Sequence, residues 1–126
     1  MKITCGTDII EIDRIKESIE STGTKFIDRI YTKKEIEYCE SKKNQKYQHY
    51  AARFAAKEAA FKAISIKIKN KYDIEWKNFE VLNDDTGRPY LNIFALDINQ
   101  EEIENIDLSV SHCKKYATAN VVICYK

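Results

Sequence analysis

Glu58 and Lys62 stand four residues apart, acid first, in an alanine-rich stretch that reads as helix. On an exposed helix that order is the favourable one and contributes ~0.2–0.5 kcal/mol. At ~100° per residue the same face also carries Ala51, Phe54, Ala55 and Phe61. A charge set among apolar neighbours is desolvated at a cost unless it meets partners. The pair is therefore either an ordinary helix pair or part of a site, and spacing alone leaves both readings open. Asp8 ends a short apolar strand beside Gly6 and, taken alone, is a turn or cap acid. Paired with Glu58 it becomes a candidate site for a hard cation. Mg²⁺ takes one or two protein carboxylates and leaves its other positions to water and substrate phosphates. Basic residues beside such an ion would neutralise phosphate oxygens. That is the layout of phosphoryl transfer, where positioning and charge stabilisation dominate.

The charge distribution points the same way. The chain has 126 residues and a formal net charge of +1. Residues 1–40 carry seven Lys/Arg against nine Asp/Glu, residues 41–72 nine against one, and residues 73–126 five against ten. A basic middle segment suggests an anionic ligand or partner, and makes its single acid, Glu58, the residue to explain. A lysine-rich stretch is most often a solvated surface. That account suits Lys42, Lys43, Lys46, Lys67, Lys69 and Lys71 better than Arg53, Lys57 and Lys62, which lie inside the alanine-rich helix.

The length fits one domain over residues 1–126, long enough to bury a core without staples. Hydrophobic residues make up 44% and charged residues 33%, the balance of a soluble globular protein. No apolar run approaches the ~20 residues that cross a bilayer. The first residues form no apolar leader, so a cytoplasmic location is expected. The four cysteines, at 5, 39, 113 and 124, form no C-x-x-C pair and are not spaced with the two histidines as zinc ligands. Buried free thiols are the expectation.

The elements that must position Asp8 and Glu58 follow from local signals. Residues 2–10 are β-prone and predict a strand ending near Asp8. Asp13 is an N-cap candidate for a helix that turns Ile15 and Ile19 inward and ends at Ser21-Thr22-Gly23. A short helical turn spans Phe26 to Ile30. Thr32-Lys33-Lys34-Glu35 fits a capping box, with Tyr31 and Ile36 placed as a hydrophobic staple, for a helix to about Ser41. The longest helix runs from about Tyr47 to Ile66, with seven alanines between Ala51 and Ala63. Alanine favours helix and lets neighbouring backbones come close, so this helix is expected at the centre. Residues 78–83 and 88–94 flank Asp84-Asp85-Thr86-Gly87 as a hairpin. Residues 98–105 are expected as a short acidic helix, 106–112 and 117–124 as strands. No internal repeat is present.

His112 closes an alternating strand with Ser109 and Ser111 nearby. On that parity a lone histidine is more often a core residue, and no Ser/His/Asp arrangement follows from spacing. Neither G-x-x-x-x-G-K-[ST] nor G-x-G-x-x-G occurs.

Four blocks in order then resemble one known family. They are Gly6-Thr7-Asp8-Ile9-Ile10-Glu11-Ile12 with Arg14-Ile15, and Phe26, Arg29-Ile30 and Tyr31-Thr32 with Glu35. Arg53-Phe54-Ala55-Ala56-Lys57-Glu58-Ala59 with Lys62-Ala63 follows, and Ser109-Val110-Ser111-His112 with Tyr116-Ala117 and Val121-Val122 completes the set. Gly87-Arg88-Pro89 also matches. Over its whole length the chain resembles the small bacterial holo-[acyl-carrier-protein] synthases, of the 4′-phosphopantetheinyl transferase family. The resemblance implies an α+β fold, a small antiparallel sheet around a long central helix with shorter N-terminal helices. It implies transfer of the phosphopantetheine arm of coenzyme A to a serine of apo acyl carrier protein, in fatty-acid synthesis, with release of adenosine 3′,5′-bisphosphate.

It also implies roles. Asp8 and Glu58 would hold Mg²⁺ on the pyrophosphate, and Lys62 would stabilise charge on the phosphoryl oxygens or the leaving group. Arg53 and His112 would contact the nucleotide or its phosphates. Arg14, Phe26 and Arg29 would dock the acidic helix of the carrier; otherwise the two arginines are solvated surface and Phe26 is core. The serine proton would go to Glu58 or to a metal-bound water. A homotrimer with sites shared between neighbouring subunits is implied as well. The family's Gly-rich turn after the long helix is replaced here by Ser65-Ile66-Lys67-Ile68-Lys69-Asn70, where Lys67 or Lys69 would supply charge instead. The competing reading is a non-catalytic module binding nucleic acid through the basic segment 41–72, since phosphate contacts alone can drive such binding. Acidic flanks and the lack of an interleaved aromatic platform weigh against it. A purely structural oligomer would leave Asp8, Glu58 and Lys62 unexplained.

Overall fold

The computed structural model describes residues 1–70, 72, 74–94 and 98–126; Lys71, one of the lysines read above as solvated, lies outside them. The chain opens with strand β1 (Lys2–Glu11) and continues through helices α1 (Ile12–Thr22), α2 (Thr24–Ile30), α3 (Lys33–Ser41) and α4 (Lys46–Ile64). A hairpin of β2 (Phe79–Asn83) and β3 (Pro89–Ile93) follows, then β4 (Ile103–His112) and β5 (Tyr116–Tyr125). The three long strands form an antiparallel sheet in the order β1-β5-β4, and β2 and β3 pair by themselves. This is the α+β arrangement expected from the sequence, with α4 in the middle.

The alanines explain why α4 can be central. Ala55, Ala56, Ala59, Ala60 and Ala63 are buried in one cluster with Ala119, Val121, Ile123 and Tyr125 of β5 and Phe79, Val81, Leu91 and Ile93 of the hairpin. Ala51 and Ala52, nearer its start, belong to a second cluster with Ile12, Ile15 and Ile19 of α1 and with Ile30, Tyr31, Cys39 and Tyr50. One helix thus serves two cores, which leaves few of its residues facing water.

β1 lies against the same helix at unusually short range. A Cβ on Gly6 would sit 1.9 Å from the carbonyl oxygen of Ala59 and 2.9 Å from the backbone nitrogen of Ala63. Only a residue without a side chain lets the strand pass there. Strand and helix are then held backbone to backbone, two residues before Asp8 on one and one residue after Glu58 on the other.

A buried polar hub fixes the opposite flank of α4. Lys57 Nζ lies 2.6 Å from Glu35 Oε1, both side chains wholly enclosed. Lys57 also donates to the carbonyl of Ile30 at 2.7 Å. The Glu35 carboxylate accepts from the amide of Thr32 at 2.8 Å and from that of Val81 at 2.9 Å. Thr32 caps α3 in the capping box expected, and its hydroxyl donates to Glu80 at 2.6 Å. Burial drives the Lys57 pKa down and Glu35 draws it back up. A buried pair like this contributes little net, but removing one partner strands the other charge. Lys57 is therefore internal and does not join the basic surface of the middle segment.

Four local expectations need correction. Asp13 sits in the first turn of α1, whose N-cap is Glu11 with no side-chain cap bond. Residues 98–105 hold no acidic α-helix; a single 3₁₀ turn at Gln100–Glu102 leads into β4 at Ile103. Partners on β5 decide this, because Ile103 and Ile106 pair with Tyr125 and Ile123. The long helix stops at Ile64 and gives way to a 3₁₀ turn, Ser65–Lys67. Only Cys39 is a buried thiol, its pKa pushed up to about 12 mainly by burial, while Cys5 and Cys113 are exposed.

Gly6→Ala is expected to lower stability by ~1–3 kcal/mol or more, the cost of overpacking against atoms that cannot yield. Denaturant unfolding measures it. A change within ~0.5 kcal/mol would mean that β1 is free to lift off α4.

Candidate active site

Asp8 reaches its place through β1, where it pairs with Ala119 of β5. Glu58 and Lys62 come from consecutive turns of α4. Lys62 does not turn to Glu58 for its ion pair. Its ammonium lies 3.3 Å from Asp8 Oδ1 and donates to the carbonyl of Thr7 at 3.0 Å. The tertiary structure has converted a within-helix pair into a helix-to-strand pair. Glu58, half-buried, carries a raised pKa, first from burial and then from the negative charge of Asp8, with Lys62 partly offsetting both. The two carboxylates are therefore close enough to repel. Two acids whose charges interact, with Lys62 paired to one of them, form a donor set that suits a hard divalent ion, which would replace the repulsion with attraction to both. No group of three or more His, Cys, Asp or Glu poised for a metal occurs among the described residues. A two-carboxylate site of this kind leaves the remaining positions to water and substrate.

A cleft of about 230 Å³ opens beside Glu58, lined by Phe61, Ile74, Glu75, Trp76 and Phe79. Its walls are mostly apolar, and Trp76 also lines a second recess with Asp28 and Arg29.

Arg53 and His112 meet elsewhere. Both line a cleft of about 380 Å³ with Tyr38, His49, Asn83, Gly87, Pro89 and Ser111. Arg53 is 5% exposed and donates from Nη2 to Asn83 Oδ1 at 2.7 Å. Its guanidinium lies over the Tyr38 ring, 4.0 Å from the centroid. Its Nε is buried with no hydrogen-bond partner among the described residues. A buried guanidinium with a donor to spare, at a cleft, is poised for an anion. His112 is exposed at the end of β4 and is not the core residue that strand parity suggests.

The nine residues from Arg53 to Lys62 turn α4 through about 900°, which sets the two side chains about 180° apart. The acidic trio and the Arg53–His112 cleft therefore occupy different flanks of one helix. Arg14 and Arg29 are exposed and Phe26 is half-buried. Phe26 stacks on Phe54 at 6.3 Å, and Phe54 on Trp76 at 4.9 Å, so its core reading holds at least in part. Lys67 turns to Glu102 at 3.2 Å and lies 5.1 Å over the Tyr125 ring, away from the trio.

Tyr38, His49 and Asn83 were missed from the sequence. His49 had a signal, since it precedes Arg53 by one helical turn and must share its face. Tyr38 and Asn83 had none, because they meet Arg53 only through the packing of α3 and the hairpin.

Only part of the basic segment 41–72 is unpaired cationic surface among the described residues, with Lys42, Lys43 and Lys69 exposed. Lys57 is enclosed, Arg53 nearly so, and Lys46, Lys62 and Lys67 are paired with Glu40, Asp8 and Glu102. That weighs against the nucleic-acid reading. No helix among the described residues is long and apolar enough to cross a membrane.

Residues 4–123 match the family model of the 4′-phosphopantetheinyl transferase superfamily. A holo-[acyl-carrier-protein] synthase of Ruminiclostridium cellulolyticum is 45% identical, over 98% of this chain and 92% of its own length. One from Solibacter usitatus is 44% identical over 98% of both chains. Among solved structures, the Chronobacterium ammoniagenes ACPS–CoA complex superposes with a TM-score of 0.81 at 29% identity, covering 100% of this chain and 99% of the other. The Bacillus anthracis holo-(acyl-carrier-protein) synthase in complex with CoA (3′,5′-ADP) gives 0.76 at 35% identity, over 95% and 94% of the two chains. The chain belongs to the 4′-phosphopantetheinyl transferase superfamily, among the holo-[acyl-carrier-protein] synthases, and is an enzyme of that class.

Proposed function

We propose that this enzyme transfers the 4′-phosphopantetheine arm of coenzyme A to a serine of apo acyl carrier protein, with Mg²⁺ held by Asp8 and Glu58. The observation that supports the metal reading is the close packing of β1 on α4 at Gly6 and Ala59, with Lys62, one turn from Glu58, paired to Asp8. Solved relatives with coenzyme A support the donor. When bound, the ion supplies positive charge at the pyrophosphate. The serine hydroxyl gives its proton to Glu58 or to a bound water, its oxygen forms a bond to the β-phosphorus, and the bond from that phosphorus to the bridging oxygen breaks. Adenosine 3′,5′-bisphosphate leaves. Lys62 stays within reach of the phosphoryl oxygens and stabilises charge on them or on the leaving group. Arg53 and His112 hold the nucleotide or its phosphates. Arg14, Phe26 and Arg29 form the docking face for the acidic helix of the carrier. Four free cysteines suit a reducing, cytoplasmic setting, and fatty-acid synthesis is the process served.

We also propose that three copies assemble and share their sites. The two half-sites lie on different flanks of α4, so one extended ligand meets both most simply across a boundary between chains. The outward sheet face supports this, with Ile3 at 62%, Ile9 at 66% and Val122 at 42% exposed. Exposed apolar side chains on a strand face favour cover, here interleaved with Cys5, Thr7 and Asn120.

Incubation with coenzyme A, Mg²⁺ and apo acyl carrier protein, followed by mass spectrometry of the carrier, tests the reaction; the expected gain is one phosphopantetheine. Asp8→Ala and Glu58→Ala are expected to abolish that gain with the fold intact, and wild-type rates in either reject the metal site. Glu58→Gln is expected to raise the Tm of the metal-free protein at pH 7. A carboxyl whose folded pKa is raised stabilises most when protonated, and that contribution is lost as pH rises through the raised value. The substitution should also remove the Tm increase on adding Mg²⁺; an unchanged Tm at pH 7 counts against the repulsion.

Mixed oligomers test the shared site. Asp8→Ala chains refolded together with His112→Ala chains should regain activity that neither has alone. No recovery would mean that each chain completes its own site. Arg14→Glu is expected to raise the KM for the carrier ~5-fold or more while leaving that for coenzyme A unchanged, as loss of a charged docking contact predicts. An unchanged carrier KM removes Arg14 from the docking face.

A further inference from the structure

We infer that His49 is a positioning residue for His112, so that a wall of three rings, Tyr38, His49 and His112, shapes the cleft beside Arg53 that receives the nucleotide of coenzyme A. The inference deepens the nucleotide reading above and rests on it.

His112 stands at the exposed end of β4, next to the turn into β5. An exposed imidazole at a strand end has rotamer freedom that it must give up to hold a ligand. The ring that restrains it belongs to another element. His49, on the first turns of α4, meets His112 edge to face, centroids 5.8 Å apart at 66°. On its other side His49 meets Tyr38 of α3, 5.5 Å away at 78°. Tyr38 in turn carries the Arg53 guanidinium on its face, 4.0 Å from the centroid. The contacts thus run from His112 through His49 and Tyr38 to Arg53. They tie the two residues read as nucleotide ligands, one from β4 and one from α4, into a single packed unit. All four line the same cleft. Offset and edge-on aromatic geometries such as these are the favourable ones.

Charge explains why a histidine is acceptable at this position. Burial, then Arg53, then His112 and Lys42 lower the His49 pKa from 6.5 to about 4. These are the groups that face it: Arg53 from its own helix, His112 from β4, Lys42 from the end of α3, with the Tyr38 ring between. At neutral pH His49 is uncharged, so it packs on its neighbours without repelling Arg53. Its role is that of a ring, and another ring should replace it.

Steady-state kinetics and a two-dimensional ¹H–¹³C spectrum of the imidazoles test this. The chain has only two histidines, so the His112 signal is identified by subtraction. His49→Ala is expected to raise the KM for coenzyme A about two- to tenfold, the weight of one aromatic contact, with kcat and the carrier KM unchanged. It should also shift the His112 signal. His49→Phe should restore the KM. If His49→Ala does not fold, His49→Leu, of similar bulk without a ring, takes its place. An unchanged KM in the ring-less variant, or a folded His49→Phe as impaired as His49→Ala, overturns the inference. His112→Ala in the same assay separates the two levels. If it leaves the coenzyme A KM unchanged, the nucleotide reading itself falls. If it raises that KM while His49→Ala does not, only the positioning role of His49 falls.

Discussion

The contact between β1 and α4 is the constraint on which the rest depends. A side chain at Gly6 would overlap the backbone of Ala59, so strand and helix are held at the shortest distance that two backbones allow. Alanine on the helix and glycine on the strand are the residues that make this possible. Because the contact is between backbones, it sets a fixed relation between what each element carries a residue or two further on. Asp8 and Glu58 are those residues. Their charges interact unfavourably, and Lys62, paired with Asp8, offsets this only in part.

Two kinds of buried charge therefore coexist on one helix, and they differ in how completely they are satisfied. Lys57 has Glu35, the Ile30 carbonyl and a complete shell of hydrogen bonds around the pair. That hub ties α2, α3, β2 and α4 together and has nothing left to offer a ligand. Glu58, the next residue in sequence, has a like charge for a neighbour and only partial compensation from Lys62. Arg53, five residues earlier, has a nitrogen with no hydrogen-bond partner among the described residues. Adjacent positions in the basic segment thus divide into residues that hold the fold and residues that the fold leaves wanting a partner. Binding free energy is available only from the second group.

This division takes Arg53 and Lys57 out of the basic surface, while Lys42, Lys43 and Lys69 stay exposed. In the linear sequence its lysines and arginines are a single block. In three dimensions α4 turns Lys46, Arg53, Lys57 and Lys62 to different sides, and a charge sum over sequence carries no information on direction. Lys62, paired with Asp8, ends on one flank of the helix, and Arg53, whose cleft His112 also lines, on another.

Much was legible from the residues alone, for reasons that can be named. The capping box at Thr32 and Glu35, the turn at Gly87 and the alanine run of α4 depend on neighbours within a few positions, and each formed as read. Asp8 and Glu58 stood out as candidates, one in a short apolar strand and one as the single acid of a basic segment, but spacing left both readings open; Asp8 proved to lie within β1, which runs on to Glu11. Residues 98–105 were misread because an acidic, isoleucine-bearing segment suits helix locally, whereas the edge of β5 supplied hydrogen bonds that only a strand could take. Lys57 and Lys62 look alike in sequence. The tertiary structure alone decided that one is enclosed by Glu35 and the other is turned to Asp8, because what a long side chain meets depends on which elements pack against its flank of the helix.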